Sequence, residues 1–168
     1  GMPDEALRAI GLTVGSDVPF CVSGGTSLAE GRGERLTDLP PLPVCQIVLC
    51  KPDFGISTPE LFVLADGAVL SKRPDIAGLT AALQGGELTG VTDRLCNVFE
   101  EFLPERYQEV FRIKEILLAH GALNAAMSGS GPTVYGIFES AAEAQRAAEV
   151  LKKSYQQTYV AKPVKKLV

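Results

Sequence analysis

The sequence predicts an α+β fold: a ferredoxin-like antiparallel sheet in the order β-α-β-β-α-β, with helices on one face, preceded by a short helix and a β-hairpin. Three observations predict it. A continuous apolar run at residues 44–50 has the composition of a strand buried on both faces. Two short β-prone runs flank the turn Ser128-Gly-Ser-Gly-Pro132, and apolar residues at helical spacing fill the intervals on either side of that hairpin. Read in order, strand, helices, strand, tight turn, strand, helix, strand is the ferredoxin-like arrangement, with extra helices enlarging the first crossover. At 168 residues and 46% hydrophobic content, the chain can bury one ordinary core without staples.

Taken in order, Asp4 caps a short helix bearing Leu7 and Ile10 on one face, and Gly11 is suited to end it. In Gly15-Ser-Asp-Val-Pro-Phe20, Pro19 bars Val18 from a helix. Asp17 then sits on an irregular bend ahead of an extended apolar run at 18–22, where an acid can point into a cleft or simply cap the bend. Gly24 and Gly25 separate that run from residues 26–30 as a hairpin, and Gly31-Arg-Gly33 bends the chain again before Leu36. Glu30 and Arg32 read as surface charge. Pro40, Pro41 and Pro43 form a stiff connector, which places a boundary between residues 1–43 and a main domain at 44–168.

Beyond the strand at 44–50, Thr58 as cap and Pro59 at the first helical position start a helix carrying Leu61, Phe62 and Leu64, stopped at Asp66-Gly67. Phe62 reads as core, although so short a helix after a loop can also offer an aromatic ring to a cleft. Helices follow at about 75–84, 93–103 and 106–120, with periodic apolar faces that predict packing. His120, in the last turn before Gly121, suits a helix C-terminus structurally. Small and apolar residues lead from Asn124 into the glycine turn, and a β-branched and aromatic run leaves it. Ser140 and Glu143 form a capping box for the next helix, and residues 158–163 read as a final strand that Pro163 confines to an edge or an end.

Composition excludes several classes. The net charge is −4 and the pI about 5.1, so the chain has no basic footprint for nucleic acid or an anionic membrane. The terminal Lys162, Lys165 and Lys166 read as solvated surface. Cys21, Cys45, Cys50 and Cys96 form no C-x-x-C pair, and with His120 as the single histidine no metal site is expected. Nothing resembles a secretory signal or a membrane span, which predicts a cytoplasmic, reducing setting. Gly1 before Met2 reads as a tag remnant.

The glycine turn fits none of the common phosphate or nucleophile motifs. It lacks the G-x-x-x-x-G-K-[ST] of a P-loop, and it opens a strand instead of the helix that a dinucleotide fingerprint requires. A nucleophile elbow needs glycines two positions either side of the serine and a reachable histidine. Two glycines permit close backbone approach, so the turn can line a ligand or simply reverse the chain.

Four separated motifs carry a resemblance over almost the whole chain. Gly15-Ser-Asp-Val-Pro-Phe20, then Gly24-Gly-Thr with Ala29-Glu-Gly-Arg-Gly-Glu34, then Lys51-Pro with Ser57-Thr-Pro59, and finally Met127-Ser-Gly-Ser-Gly-Pro-Thr-Val-Tyr135 resemble the GHMP kinase superfamily. Within it they resemble the branch that phosphorylates 4-diphosphocytidyl-2-C-methyl-D-erythritol in the non-mevalonate route to isoprenoids. The resemblance is to the later part of such an enzyme. The earlier region, with its catalytic lysine and phosphate loop, has no counterpart here, which implies that residues 1–43 are a remnant of the N-terminal kinase domain and that this chain is inactive alone.

The resemblance implies roles. Asp17 would be the base or orienter of the acceptor hydroxyl, a role suited to a carboxylate in phosphoryl transfer. Thr58 and Phe62 would bind substrate, the ring stacking on cytosine for about 1–3 kcal/mol. Ser128, Gly129, Ser130 and Gly131 would support the phosphate loop at the ATP end. ATP and Mg2+ are implied for the whole enzyme, with none binding tightly here, and the partner is a small-molecule cytidine diphosphate substrate. An exposed N-terminal hairpin implies a homodimer. The rival reading is a stand-alone ferredoxin-like ligand-binding or regulatory module without catalysis.

Overall fold

The computed structural model describes residues 1–71 and 73–164; Lys165 and Lys166 of the terminal basic cluster lie outside the described residues. Helix α1 (Asp4–Val14) and α2 (Val18–Ser23) pack on each other and lead into the hairpin β1 (Thr26–Glu30) and β2 (Arg35–Leu39). A proline-rich connector then enters β3 (Gln46–Lys51), followed by α3 (Thr58–Asp66), α4 (Ile76–Gly85) and α5 (Leu88–Thr92). After 3-10 turns at Val98–Phe102 and Glu105–Tyr107 come α6 (Glu109–Ala119), β4 (Asn124–Met127), β5 (Val134–Phe138), α7 (Ala141–Lys152) and β6 (Gln157–Ala161).

The four later strands form one sheet in the order β4-β5-β3-β6, antiparallel at every junction. This is the ferredoxin-like order read from the sequence. Alternation along the strands explains which side is buried. Val48 and Cys50 on β3, Val134 and Phe138 on β5, and Ala125 and Met127 on β4 turn to one face. There they meet Val110, Ile113 and Leu117 of α6 and Ala144, Ala147, Ala148 and Leu151 of α7, in one core. Three alanines let α7 lie close to the sheet. A capping bond from the Glu143 N–H to the Ser140 hydroxyl (3.3 Å) starts that helix where the sequence places it.

A smaller cluster of Ala82, Leu83 and Val91 joins α4 and α5 to Leu39 at the end of β2 and Leu42 in the connector. The N-terminal elements reach the other face of the sheet at a cleft of about 330 Å³, where Phe20 stands opposite Ile47, Tyr135 and Ile137. His120 lies 2.8 Å through its Nδ1 from the Ile116 carbonyl, which also accepts the His120 N–H at 3.2 Å at the helix end.

The structure corrects four local expectations. The first helix runs through Gly11 to Val14, with Pro3 and not Asp4 at the cap position. Gly11 is kept small by contact: a Cβ there would lie 2.8 Å from Cγ1 of Val18. The run at 18–22 is helix α2, because Pro19 occupies its first turn, where no backbone N–H is needed; the hairpin therefore pairs β1 with β2. Ser57, not Thr58, caps α3 by accepting from the Glu60 N–H (3.4 Å). The helix expected at 93–103 is instead a turn just after α5, an irregular stretch, and a 3-10 turn that Asn97 caps.

Candidate active site

The glycine turn between β4 and β5 is closed by its own backbone. The Ser128 N–H donates to the Thr133 carbonyl, and the Gly131 N–H donates to the Ser128 carbonyl, each at 2.8 Å. Gly131 has φ 74°, and a Cβ on it would lie 2.4 Å from Sδ of Met127, so both conformation and space demand glycine. The following Gly131–Pro132 bond is cis.

The structure brings Thr58 to this turn and Phe62 to Phe99. With Ser57 capping α3, the Thr58 hydroxyl is free to meet the Ser130 hydroxyl at 2.7 Å. Phe62, one turn further along α3, is 56% exposed and meets Phe99 edge to face, with ring centres 5.3 Å apart. That geometry fixes the ring from one side and leaves surface for a planar ligand. A groove of about 360 Å³ between Phe99, Cys96, Ser128, Gly129 and Tyr135 continues from this point.

Two residues that the sequence reading left inside an apolar helix pattern hold the turn. Ser128 bonds across the hairpin, so its neighbour Met127 directs its backbone groups to the outer edge of β4. There the Glu100 carboxylate accepts from the Met127 N–H (2.6 Å). The Asn97 carboxamide nitrogen donates to the carbonyls of Met127 (2.7 Å) and Gly129 (2.8 Å). Glu100 is itself paired with Lys114 of α6, both side chains largely shielded. Their signal in the sequence is Asn97 standing just before Val98 and Phe99, a capping residue that restarts the chain after Leu95.

Asp17 stands on the N-terminal segment, between α1 and α2. It is exposed and occupies the cap position of α2 without a capping bond from its side chain. The bend that carries it is pressed by the hairpin turn: Gly33, at φ 103°, runs so close to Ser16 that a Cβ would lie 2.1 Å from the Ser16 carbonyl oxygen. The Glu34 carboxylate accepts from the Arg32 N–H (2.6 Å). Hydrogen bonds from its own and the Arg32 N–H hold it below the usual carboxylate range. The bridge from this segment to the glycine turn is Tyr135, which lines the cleft beside Phe20 and also the groove beside Gly129. Burial, then the Glu100 charge, pushes the Tyr135 phenol up, keeping it a neutral hydrogen-bonding group.

A cavity of about 610 Å³ opens elsewhere, between the proline connector, the end of α4 and residues 162–164. Prolines and aliphatic side chains make up most of its lining, with Gln84 and Lys162 beside them.

Residues 79–157 match the family model described as GHMP kinases C terminal. The later part of the chain carries the C-terminal domain of the GHMP kinases. Over 161 residues, 96% of this chain, it is 38% identical to a 4-diphosphocytidyl-2-C-methyl-D-erythritol kinase from Clostridium acetobutylicum, spanning 58% of that protein. Over 166 residues, 98% of this chain, it is 42% identical to the kinase of the same name from Enterococcus faecalis, again spanning 58%. Among solved structures, a 4-(cytidine 5'-diphospho)-2C-methyl-D-erythritol kinase superposes with a TM-score of 0.75 at 28% identity, covering 94% of this chain and 56% of that one. The chain thus spans little more than half the length of these relatives.

Among its described residues, no group of three or more His, Cys, Asp or Glu could hold a metal ion, so the residues present do not fit a protein-built cation cage. No helix among them is long and apolar enough to cross a membrane.

Proposed function

We propose that this chain is the C-terminal portion of an ATP-dependent kinase that phosphorylates the 2-hydroxyl of 4-diphosphocytidyl-2-C-methyl-D-erythritol, in the cytoplasm, for isoprenoid precursors. The observation that carries the reading is the contact of α3 with the glycine turn, Thr58 meeting Ser130 at 2.7 Å, while Phe62 meets Phe99, which lines the groove beside Ser128 and Gly129. It is supported by relatives of that name at 38% and 42% identity. Phe62 stacks on the cytosine ring, and Thr58 binds beside it.

Asp17 orients the 2-hydroxyl and accepts its proton as the oxygen attacks the γ-phosphorus of ATP. The bond from that phosphorus to the β-phosphate oxygen breaks, and ADP leaves. Residues 128–131 shape the triphosphate end, where backbone N–H groups can face anionic oxygen. Mg2+ belongs to the reading as a companion of the ATP phosphates, the usual mode for that ion. Residues 1–43 form part of the kinase's first domain and residues 44–168 its second. By itself the chain is expected to turn over no ATP. Pairing of the two-stranded hairpin with that of a second copy is part of the proposal.

Isothermal titration with cytidine 5'-diphosphate tests the reading. Phe62→Ala should weaken binding roughly 5- to 150-fold, the equivalent of about 1–3 kcal/mol of stacking, while Asp17→Asn spares it. Indifference to both changes would favour a stand-alone module and overturn the kinase reading.

A further inference from the structure

We propose that Asn97 is a positioning residue that ties the base-binding ring to the glycine turn; this rests on the reading of Phe62 as the cytosine platform. The two ends of one carboxamide do different jobs. Its oxygen accepts from the Phe99 N–H at 3.0 Å, fixing the residue whose ring meets Phe62. Its nitrogen carries the carbonyls of Met127 and Gly129, at 2.7 Å and 2.8 Å.

No other side chain type of this size both accepts a backbone N–H and donates two hydrogens. Aspartate has nearly the same shape but would set a carboxylate against two carbonyl oxygens. The turn has few other tethers to this side. Thr58 reaches it through Ser130, and Glu100 holds only the Met127 N–H before it. A ligand that packs on Phe62 therefore loads Phe99, and through Asn97 it sets the backbone of Gly129. The kinase would gain a coupling between filling of the base end and the shape of the triphosphate end.

The test uses the whole chain and cytidine 5'-diphosphate as probe. Amide resonances of Gly129 and Gly131, and ring resonances of Phe62 and Phe99, are followed in the wild type, Asn97→Asp and Thr58→Val. Wild-type titration should move all four. In Asn97→Asp the ring shifts and the affinity should stay within about twofold, because the bond to Phe99 survives, while the glycine shifts fall at least threefold. Thr58→Val reports the share that passes through Ser130.

Without ligand, Asn97→Asp should speed Gly131 amide exchange at least tenfold and leave Val48, in the core of β3, unchanged. A purely structural role would move both amides together. Glycine shifts in Asn97→Asp equal to wild type would overturn the proposal. Absence of any binding by the wild type would instead overturn the reading of Phe62, and Gly131 exchange unaltered in Asn97→Asp would still overturn the tether.

Discussion

Replacing Gly33 by alanine should cost this chain about 2–3 kcal/mol and disturb Asp17 without touching it. Gly33 has φ 103°, and an added Cβ would lie 2.1 Å from the Ser16 carbonyl oxygen and 3.0 Å from its carbon. A side chain in left-handed backbone costs about 1–2 kcal/mol. A φ of 103° lies beyond the left-handed minimum, and the overlap falls on rigid backbone, so the bend at 15–17 or the hairpin turn must shift, raising the total to about 2–3 kcal/mol. With a urea slope of about 1–3 kcal/mol/M, the midpoint should fall by roughly 1 M.

Urea melts followed by circular dichroism measure this, with Gly55→Ala as the control, because a Cβ there meets nothing within 4 Å. Amide shifts at Ser16 and Asp17 should accompany the loss in Gly33→Ala only. Midpoints of the two variants within about 0.2 M of each other would refute the reasoning.

Two further outcomes follow from the core. Leu117 is fully buried in it, so Leu117→Ala should destabilise the chain by about 2–5 kcal/mol, and a loss below about 1 kcal/mol in the same melts would contradict the packing described. The Tyr155 hydroxyl donates to Glu109, and burial first and that carboxylate second push it from 10.0 up to about 12. The folded chain holds this proton longer than the unfolded one, so stability should fall as pH rises from 10 to 12. Tyr155→Phe should flatten that fall in urea midpoints across the window; an unchanged slope would count against the bond.

Where local signals agreed with tertiary demands, the sequence was readable. Residues 44–50, the Ser140 cap and the glycine hairpin each state one structure at every level, and they form the sheet and its covering helix as expected. Pro19 misled because the same residue that ends one helix can open another, and only contact between α1 and α2 decides. The stretch at 93–103 misled more usefully. Its apolar spacing suits a helix, but Asn97 and Glu100 find stronger partners 27 to 32 residues away on Met127 and Gly129. Bonds of that range leave no local trace. Thr58 and Phe62 were nameable through family resemblance, whereas the contact of Thr58 with Ser130 required Ser57 to take over the cap, a choice between adjacent hydroxyls that no propensity settles.

The side chains that occupy the outer margin of β4 also govern how copies of this molecule can meet. A bare strand margin is a template for another chain, and one molecule with two bare margins can add neighbours without end. With Met127 already engaged by Asn97 and Glu100, the four-stranded sheet offers newcomers its β6 side alone, where Pro163 soon follows the strand. A contact through that margin alone joins two copies and no more. The tether that shapes the groove thus also closes one of the sheet's two margins to incoming strands.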